Sequence, residues 1–409
     1  MAILKTNRDI RLITTSVGLS AMGDFVLWTV LALYLSGTTH SAVAVSAFFF
    51  CLFAPIVALG GHAGALVDRI ENRRLLIGIS LLQAVIVGTL AFTTGSLVML
   101  YALTLLVGAA AAVGSSAEFS LVPAAAGDDE IAQANGVVEA ARALGLTAGP
   151  IVGGALAAAG ATREALLLDA ASFLVVVAAA LALRARRVPG GAKADAPVRA
   201  RDGIVFLART RTLAVPLGVS VASLVFFSMS IAAETFFITD VLHAGASGFG
   251  LLIATWTLGM VVGSVALAKR VPKAALATGA MLAIVGQGVG LLSAAAAATI
   301  LVCVISFVAG GIAHGIKNVL FRTLLHEQVP EDLRGRAFAA YNAARNGAEL
   351  GALAIGGVIV GLLGPQAALA LSGAVPIVIG LAGLLYHHQG RRQGASISTE
   401  RNAYAHLQG

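Results

Sequence analysis

Several ionisable side chains lie within long apolar stretches of this sequence, where each needs a chemical reason. A charge in the middle of a membrane helix costs about 2.5–3.5 kcal/mol. Asp24 lies on a stripe with Ser16, Ser20 and Trp28, and their spacing of four residues places them on one helix face. A carboxyl group held out of water can bind a proton in one state and release it in another. We therefore expect Asp24 to face a wet central cavity and to carry a proton.

A matching stripe lies in the second half of the chain and ends at Glu234, which follows Phe227 and Ser230 at helical spacing. We expect Glu234 to line the same cavity as Asp24. The two carboxylates would attract a cationic amphiphile, and Trp28 and Phe227 would offer it aromatic contact. The predicted site is therefore one for a small amphipathic substrate and for protons.

A further polar group lies later in the chain. His314 and Lys317 share one apolar run, and Arg345 and Glu349 share the next. The rise of a helix places both groups about 10–20 Å deep, so pairing between the two helices is possible. A structural salt bridge and a role in proton coupling both remain open for this group. Glu349 joins Glu234 as the second choice of proton carrier after Asp24.

The composition identifies the elements that must hold these side chains. Of the 409 residues 58% are hydrophobic and 11% charged, and the mean hydropathy is +0.91. A bilayer core needs roughly 20 apolar residues per helix, so the sequence predicts an all-α integral membrane protein with twelve transmembrane helices. The predicted spans are 11–36, 43–67, 75–94, 97–121, 135–159, 164–185, 213–239, 246–268, 274–295, 299–325, 336–363 and 366–386.

The basic residues indicate the orientation. Arg163 is the basic residue of the loops expected outside, whereas the remaining loops and both termini carry many Lys and Arg residues. We therefore expect cytoplasmic N- and C-termini in a multi-pass protein of the plasma (inner) membrane. The net charge of +7 follows from this bias and from attraction to anionic lipid, and it gives no reason to expect nucleic acid as a partner.

The chain divides into two related halves. Sliding the sequence by 202 positions superimposes Gly145 on Gly347 and Gly149 on Gly351. Such a duplication predicts two pseudo-symmetric six-helix bundles that rock about a central site. The predicted units are the first bundle (1–185), a cytoplasmic linker (186–212), the second bundle (213–386) and a polar cytoplasmic tail (387–409).

The stretch GHAGALVDRIENRRLL (61–76) resembles the loop between the second and third helices of the major facilitator superfamily. The matching residues are Gly64, Asp68, Arg69, Arg73 and Arg74. Glu71 replaces a glycine of the usual pattern, and this is similar to the drug/proton antiporter branch that contains macrolide and siderophore exporters. The resemblance implies a gating loop whose charges hold helix ends together in one state and release them in the other.

A second stretch, GVVEAARALGLTAGPIVGG (136–154), is similar to the fifth-helix motif of the antiporters in this superfamily. The resemblance implies export rather than uptake. Glycines four residues apart form a stripe that lets another helix approach closely, and a proline frees a carbonyl and bends the helix. Ordinary small-residue packing is the alternative. The residues that carry the motif are Gly136, Gly145, Gly149, Pro150 and Gly153.

Two further ionisable residues of the first half, Arg142 and Asp169, are candidates for more limited roles. Many antiporters of this branch carry an arginine in the fourth helix, but residues 101–119 contain none. Arg142 of the fifth helix is the candidate substitute. Asp169 is expected near the outer end of the sixth helix, as an interfacial or a capping residue.

These patterns predict a secondary transporter for proton-coupled efflux of a drug, antibiotic, secreted metabolite or siderophore, with multidrug resistance as a consequence. The alternatives are a proton-coupled importer of a small metabolite and a membrane receptor or scaffold. No nucleophile, base and oxyanion donor occur together, so an enzyme is not expected. No cofactor or metal is implied, Cys51 and Cys303 have no paired spacing, and we expect a monomer.

Overall fold

The computed structural model describes residues 3–67, 69–127, 130–185, 200–267 and 270–407, most of which are helical. Twelve helices in this part of the chain are long and apolar enough to cross a membrane, which confirms the predicted all-α fold. They are α1 (Arg8–Thr39), α2 (Ala42–Val67), α3 (Asn72–Thr93), α4 (Leu97–Ala125), α5 (Ile131–Ala158), α6 (Thr162–Ala182), α7 (Arg211–Ser228, continued by Ser230–Phe236 and the π-helical turn Phe237–Val241), α8 (Gly245–Val262, continued by the π-helical turn Gly263–Leu267), α9 (Leu276–Ala297), α10 (Ile300–Gln328), α11 (Glu331–Leu363) and α12 (Pro365–Leu407).

Polar residues between the spans set several helix ends. The Asn7 side-chain oxygen accepts a hydrogen bond from the Ile10 amide at 3.1 Å and so caps the start of α1. His40 adopts a left-handed conformation, with φ of 49°, and stops α1. The helix α12 continues about 20 residues beyond the predicted span, because this segment has no proline after Pro376 and contains many good helix formers.

The helix contacts repeat from one half of the chain to the other. In the first half α1 packs on α5 and α6, α2 on α4, and α3 on α4 and α6. Adding six to each number gives the main contacts of the second half, which shows the internal repeat in three dimensions. The halves meet mainly through two pairs of helices, α5 with α8 and α2 with α11, and α7 also contacts α1 and α2.

The buried apolar residues show where the two halves join. We call the end at which α1 begins the termini end, and the opposite end the far end. At the far end one cluster includes residues of both halves, such as Leu31, Phe237 and Phe249. At the termini end each half has its own cluster, one around Ile13 and the other around Leu213. Among the described residues, the halves therefore share a core at the far end and not at the termini end.

Candidate functional site

A cavity of about 210 Å³ lies between the two halves, and we call it the central cavity. Five helices line it near the middle of their lengths. Seven of its fifteen lining residues are Phe or Trp, so its surface is mostly apolar and aromatic. The lining residues are Phe25, Trp28, Thr29 and Ala32 of α1, Phe49 and Phe53 of α2, Phe227, Ser230, Ile231 and Glu234 of α7, Phe249, Ile253, Trp256 and Thr257 of α8, and His314 of α10.

The aromatic rings form one group on each side of the central cavity. Trp28 packs edge-to-face on Phe53 with ring centroids 5.2 Å apart. On the other side Trp256 stacks on Phe227 at 5.6 Å. The two tryptophans are the only ones in the sequence, and each half of the chain contributes one. The sequence placed Trp28 and Phe227 at such a site but gave no reason to select Trp256.

Five polar side chains interrupt this aromatic surface, and Glu234 and His314 are the ionisable ones among them. The Ser230 hydroxyl donates a hydrogen bond to Glu234 Oε1 at 2.7 Å, one helical turn away. The His314 ring lies edge-on to the rings of Phe227 and Trp256, at 5.2 and 5.9 Å. Its Nδ1 atom is buried without a hydrogen-bond partner. The central cavity therefore has one carboxylate that can recognise a polar or charged group on a bound molecule, and beside it lies an imidazole whose Nδ1 atom is buried and unsatisfied.

Lys317 lies one turn beyond His314 on α10 and has a partner that the sequence did not indicate. Its Nζ atom donates a hydrogen bond to Gln287 Oε1 of α9 at 2.8 Å and lies 5.4 Å from the Phe227 ring centroid. Arg345 and Glu349 of α11 lie close enough to act on its charge. Among the described residues, Lys317 makes no salt bridge with Glu349, so its side chain is hydrogen-bonded to a neutral amide rather than paired with a carboxylate.

Asp24 lies in a different place from Glu234. It lines a cavity of about 90 Å³ inside the first half, which we call the first-bundle cavity. The expected stripe winds around α1, since each step of four residues turns the helix by a further 40° or so. Trp28 consequently reaches the central cavity, while Asp24 points between α3, α4, α5 and α6.

An ion pair accompanies Asp24 in the first-bundle cavity. Arg142 of α5 contacts Glu118 Oε1 of α4 at 2.5 Å and Glu139 Oε1 at 3.4 Å. Glu118 and Arg142 line the cavity together with Asp24, and their charges act on its carboxylate. Arg142 thus lies within electrostatic reach of Asp24.

Asp169 is a second polar residue, after Asp24, whose location the sequence predicted wrongly. Its side chain is completely buried in α6 rather than interfacial. Oδ1 accepts a hydrogen bond from the Ser172 hydroxyl at 3.3 Å, and Oδ2 has no partner. Depth counted from a helix end could not reveal this burial, because the direction of the side chain depends on how α6 packs against α1. An acid within the apolar run LLLDAASFLVVV was the available signal.

The glycines of α5 allow two different helices to pack closely against it. A Cβ atom at Gly149 would lie 2.7 Å from the Met22 carbonyl oxygen, so α1 fits closely on this face of α5. Gly145 and Gly153 also face α1. Gly154, on the other face, lies against α8, and a Cβ atom there would lie 2.6 Å from the Ala246 oxygen. At Gly136, near the termini end, a Cβ atom would meet no neighbouring atom within 4 Å.

The described part of the predicted gating loop makes contacts inside the first half. Arg73 at the start of α3 donates a hydrogen bond to the Leu181 carbonyl of α6 at 2.5 Å. Arg74 pairs with Glu71 at 3.0 Å, and Arg69 is exposed. Gly64 lies in α2, whereas Asp68 lies outside the described residues. Among the described residues, no group of three or more His, Cys, Asp or Glu side chains is placed to hold a metal ion.

Comparison with known proteins gives consistent relatives along the whole chain. The model of the Major Facilitator Superfamily matches residues 13–215 and 217–407. The chain is 24% identical over 405 residues to the uncharacterized MFS-type transporter YfiS of Bacillus subtilis, covering 94% of each chain. It is 25% identical over 409 residues to the enterobactin exporter EntS of Salmonella choleraesuis, covering 96% of this chain and 95% of the exporter.

Solved structures of transporters share the fold. The nucleoside transporter NupG matches with a TM-score of 0.73 at 14% identity, over 91% of this chain and 98% of that one. A POT family transporter in complex with 5-aminolevulinic acid matches with a TM-score of 0.75 at 12% identity, over 94% and 96%. At these identities the likeness concerns the arrangement of the helices.

Proposed function

This chain belongs to the major facilitator superfamily of transporters, and on that premise we propose that it exports a small amphipathic molecule in exchange for protons. The central cavity is the observation that carries this proposal. It lies between the two halves and takes lining residues from both, as a site exposed alternately to the two sides of a membrane requires. Its aromatic surface and its one acidic lining residue, Glu234, favour a substrate with an apolar ring system and a positive charge.

The contact between the halves supports alternating access. They share a core at the far end and have separate cores at the termini end. The distribution of Lys and Arg favours a plasma-membrane protein whose termini lie in the cytoplasm. In that orientation the two halves are joined on the outer side of the membrane and can separate on the cytoplasmic side. A substrate would then enter from the cytoplasm.

The direction of transport rests on two further arguments. The glycine and proline positions of α5 resemble those of antiporters, and they bring α1 and α8 against one helix. The similarity to an enterobactin exporter over nearly the whole chain also favours export. We therefore place the substrate among drugs, antibiotics and secreted metabolites, siderophores included.

Uptake of a fluorescent aromatic cation, ethidium, into inside-out membrane vesicles tests this function. An acidic vesicle interior should drive accumulation if the protein exchanges the cation for protons, and a protonophore should abolish it. Glu234→Gln should reduce accumulation at least tenfold, because it removes the carboxylate of the central cavity. Asp240→Asn provides the matched control, since Asp240 lies on the same helix but is exposed at the far end.

Each contrary outcome has a definite meaning. Accumulation in right-side-out vesicles with an acidic exterior, and none in inside-out vesicles, would show a proton-coupled importer instead. Accumulation that ignores the pH gradient would contradict the exchange for protons. An equal loss of accumulation in Glu234→Gln and Asp240→Asn would show that the central cavity is not the substrate site.

A further inference from the structure

We propose that Asp169 is a second proton-carrying carboxyl group, which shares one proton with Asp24 across the contact between α1 and α6. This inference rests on the proposed exchange for protons and assigns the proton to a place apart from the substrate. The first-bundle cavity would hold the proton, while the central cavity would hold the substrate.

The first argument is the environment of Asp169. Its side chain is completely buried, and its Oδ2 atom has no hydrogen-bond partner. An isolated buried carboxylate is costly, whereas a proton on Oδ2 turns that atom into a donor that needs an acceptor. Asp169 Oδ1 lies against the α1 backbone at Gly23, so the carboxylate of Asp24, the next residue of α1, is the acid placed to supply that acceptor. A single proton between the two groups would satisfy both.

The second argument is how closely α1 and α6 approach at this point. Gly23 precedes Asp24 directly, and a Cβ atom there would collide with Asp169 Oδ1 and lie 2.6 Å from Ser172 Oγ. The absence of a side chain at Gly23 therefore lets the α6 carboxyl lie against the α1 backbone beside Asp24. A larger residue would move the two carboxyl groups apart.

The charges around the pair limit it to one proton. Glu118 of α4 and Arg142 of α5 both act on Asp24, and Glu139 lies on the far side of Arg142. The helix α3 contributes the neutral Ser80 and Gln83 to the first-bundle cavity. Because Glu118 and Arg142 largely cancel each other, two ionised aspartates would leave an excess negative charge out of water. One shared proton reduces this excess to a single charge.

A separate proton site needs a link to the substrate, and α1 provides it. The helix carries Asp24 into the first-bundle cavity, and one turn later it carries Trp28 into the central cavity. Loss of the proton would leave two carboxylates that repel each other across the α1–α6 contact. A displacement of α1 in response would move Phe25 and Trp28 at the same time.

Proton release on substrate addition tests the proposal in purified protein, with a pH indicator dye in weak buffer. Wild-type protein should release a proton when ethidium is added. Asp169→Asn should reduce this release at least fivefold while binding of ethidium persists, and Asp24→Asn should do the same. The double variant should be no worse than either single variant, because both remove the same proton. Asp169→Glu should restore part of the release, and Asp240→Asn should leave it unchanged.

Infrared difference spectra supply a readout that a merely structural role would not change. The carbonyl band of a protonated carboxylic acid should disappear on raising the pH in wild-type protein and should shift in Asp169→Asn. If Asp169→Asn does not fold, Gly23→Ala keeps both carboxyl groups and forces them apart, and it should alter the same band. Unchanged release and an unchanged band in either variant would overturn the proposal. A wild-type protein that never exchanges ethidium for protons would instead contradict the proposed function.

Discussion

Gly250 of α8 lies directly against Pro150 of α5, so the two halves of the molecule meet there backbone to backbone. A Cβ atom at Gly250 would lie 2.9 Å from the Pro150 carbonyl carbon and 3.2 Å from the Gly154 Cα atom. The second contact between the halves is similar, because a Cβ atom at Gly357 of α11 would lie 2.6 Å from Val43 Cα of α2. Both contacts lie toward the far end, where no larger residue fits while the halves remain together.

Gly250→Leu should therefore hold the far end open. The added side chain cannot fit against Pro150, so the halves must separate at this point. We expect transport to fall at least tenfold. A cysteine introduced at Ser36, which is buried in the wall of a recess at the far end, should react faster with an impermeant maleimide.

Gly351→Leu is the control for this prediction, since a Cβ atom added at Gly351 of α11 would meet no neighbouring atom within 4 Å. It should leave both transport and labelling close to wild type. If Gly250→Leu and Gly351→Leu behave alike, the contact with Pro150 has no special role in closing the far end.

Intrinsic tryptophan fluorescence should report binding in the central cavity. Both tryptophans of the sequence line this cavity, so a bound aromatic molecule should quench nearly all of the signal. Contact between a cation and an indole contributes about 2 kcal/mol in a desolvated site. Trp256→Ala should therefore weaken ethidium binding about tenfold to thirtyfold. Trp256→Phe should weaken it less, and equal losses in the two variants would contradict aromatic stacking as the cause.

The sequence predicted the elements of this fold better than the directions of its side chains. Twelve apolar runs were sufficient to predict the helices, because each span must satisfy its backbone internally. The repeat of 202 residues predicted that the two halves are related, but it did not predict which helices pack together. The spacing of Asp24 and Trp28 placed both on one face of α1, but the close packing of α5 and α6 around that helix separates them into two cavities.

Sequence patterns could not predict the residues whose role depends on how the helices pack against one another. Glu234 was identified as a cavity residue because an acid in an apolar run is rare. Trp256 and Gln287 resemble ordinary core residues in the sequence, and they acquire a role only beside Phe227 and Lys317. Helical spacing reports which face a residue shares, and it does not report which helix covers that face.

The ion pair of the first-bundle cavity should contribute to stability as a pair. Arg142 and Glu118 are partly buried, so breaking their contact should cost about 2 kcal/mol, between the values for exposed and fully buried pairs. Arg142→Met alone should lower the melting temperature in detergent, because it leaves Glu118 without its counter-charge. Arg142→Met combined with Glu118→Gln should recover part of the loss.

The same Arg142 variant tests a functional expectation. If Arg142 substitutes for the fourth-helix arginine of related antiporters, Arg142→Met should change the pH dependence of transport. Transport with the wild-type pH dependence would reject that role and leave Arg142 a structural residue. A double variant as unstable as the sum of the two single variants would show that the ion pair has no net coupling.

The contact between α7 and α11 depends on a hydrogen bond where its counterpart depends on glycine. In the first half Gly145 and Gly149 bring α5 against α1, but a Cβ atom at the equivalent Gly347 or Gly351 of α11 would meet no neighbouring atom within 4 Å. The hydroxyl groups of Ser220 and Tyr341 instead lie 2.8 Å apart, and both side chains are buried.

Tyr341→Phe should lower the free energy of unfolding by about 1 kcal/mol and increase amide exchange in residues 336–347, because α11 loses its hydrogen bond to α7. Ser220→Ala should do the same, and the double variant should be no less stable than the worse single variant. If the losses add instead, the two hydroxyl groups act independently and the tie is absent.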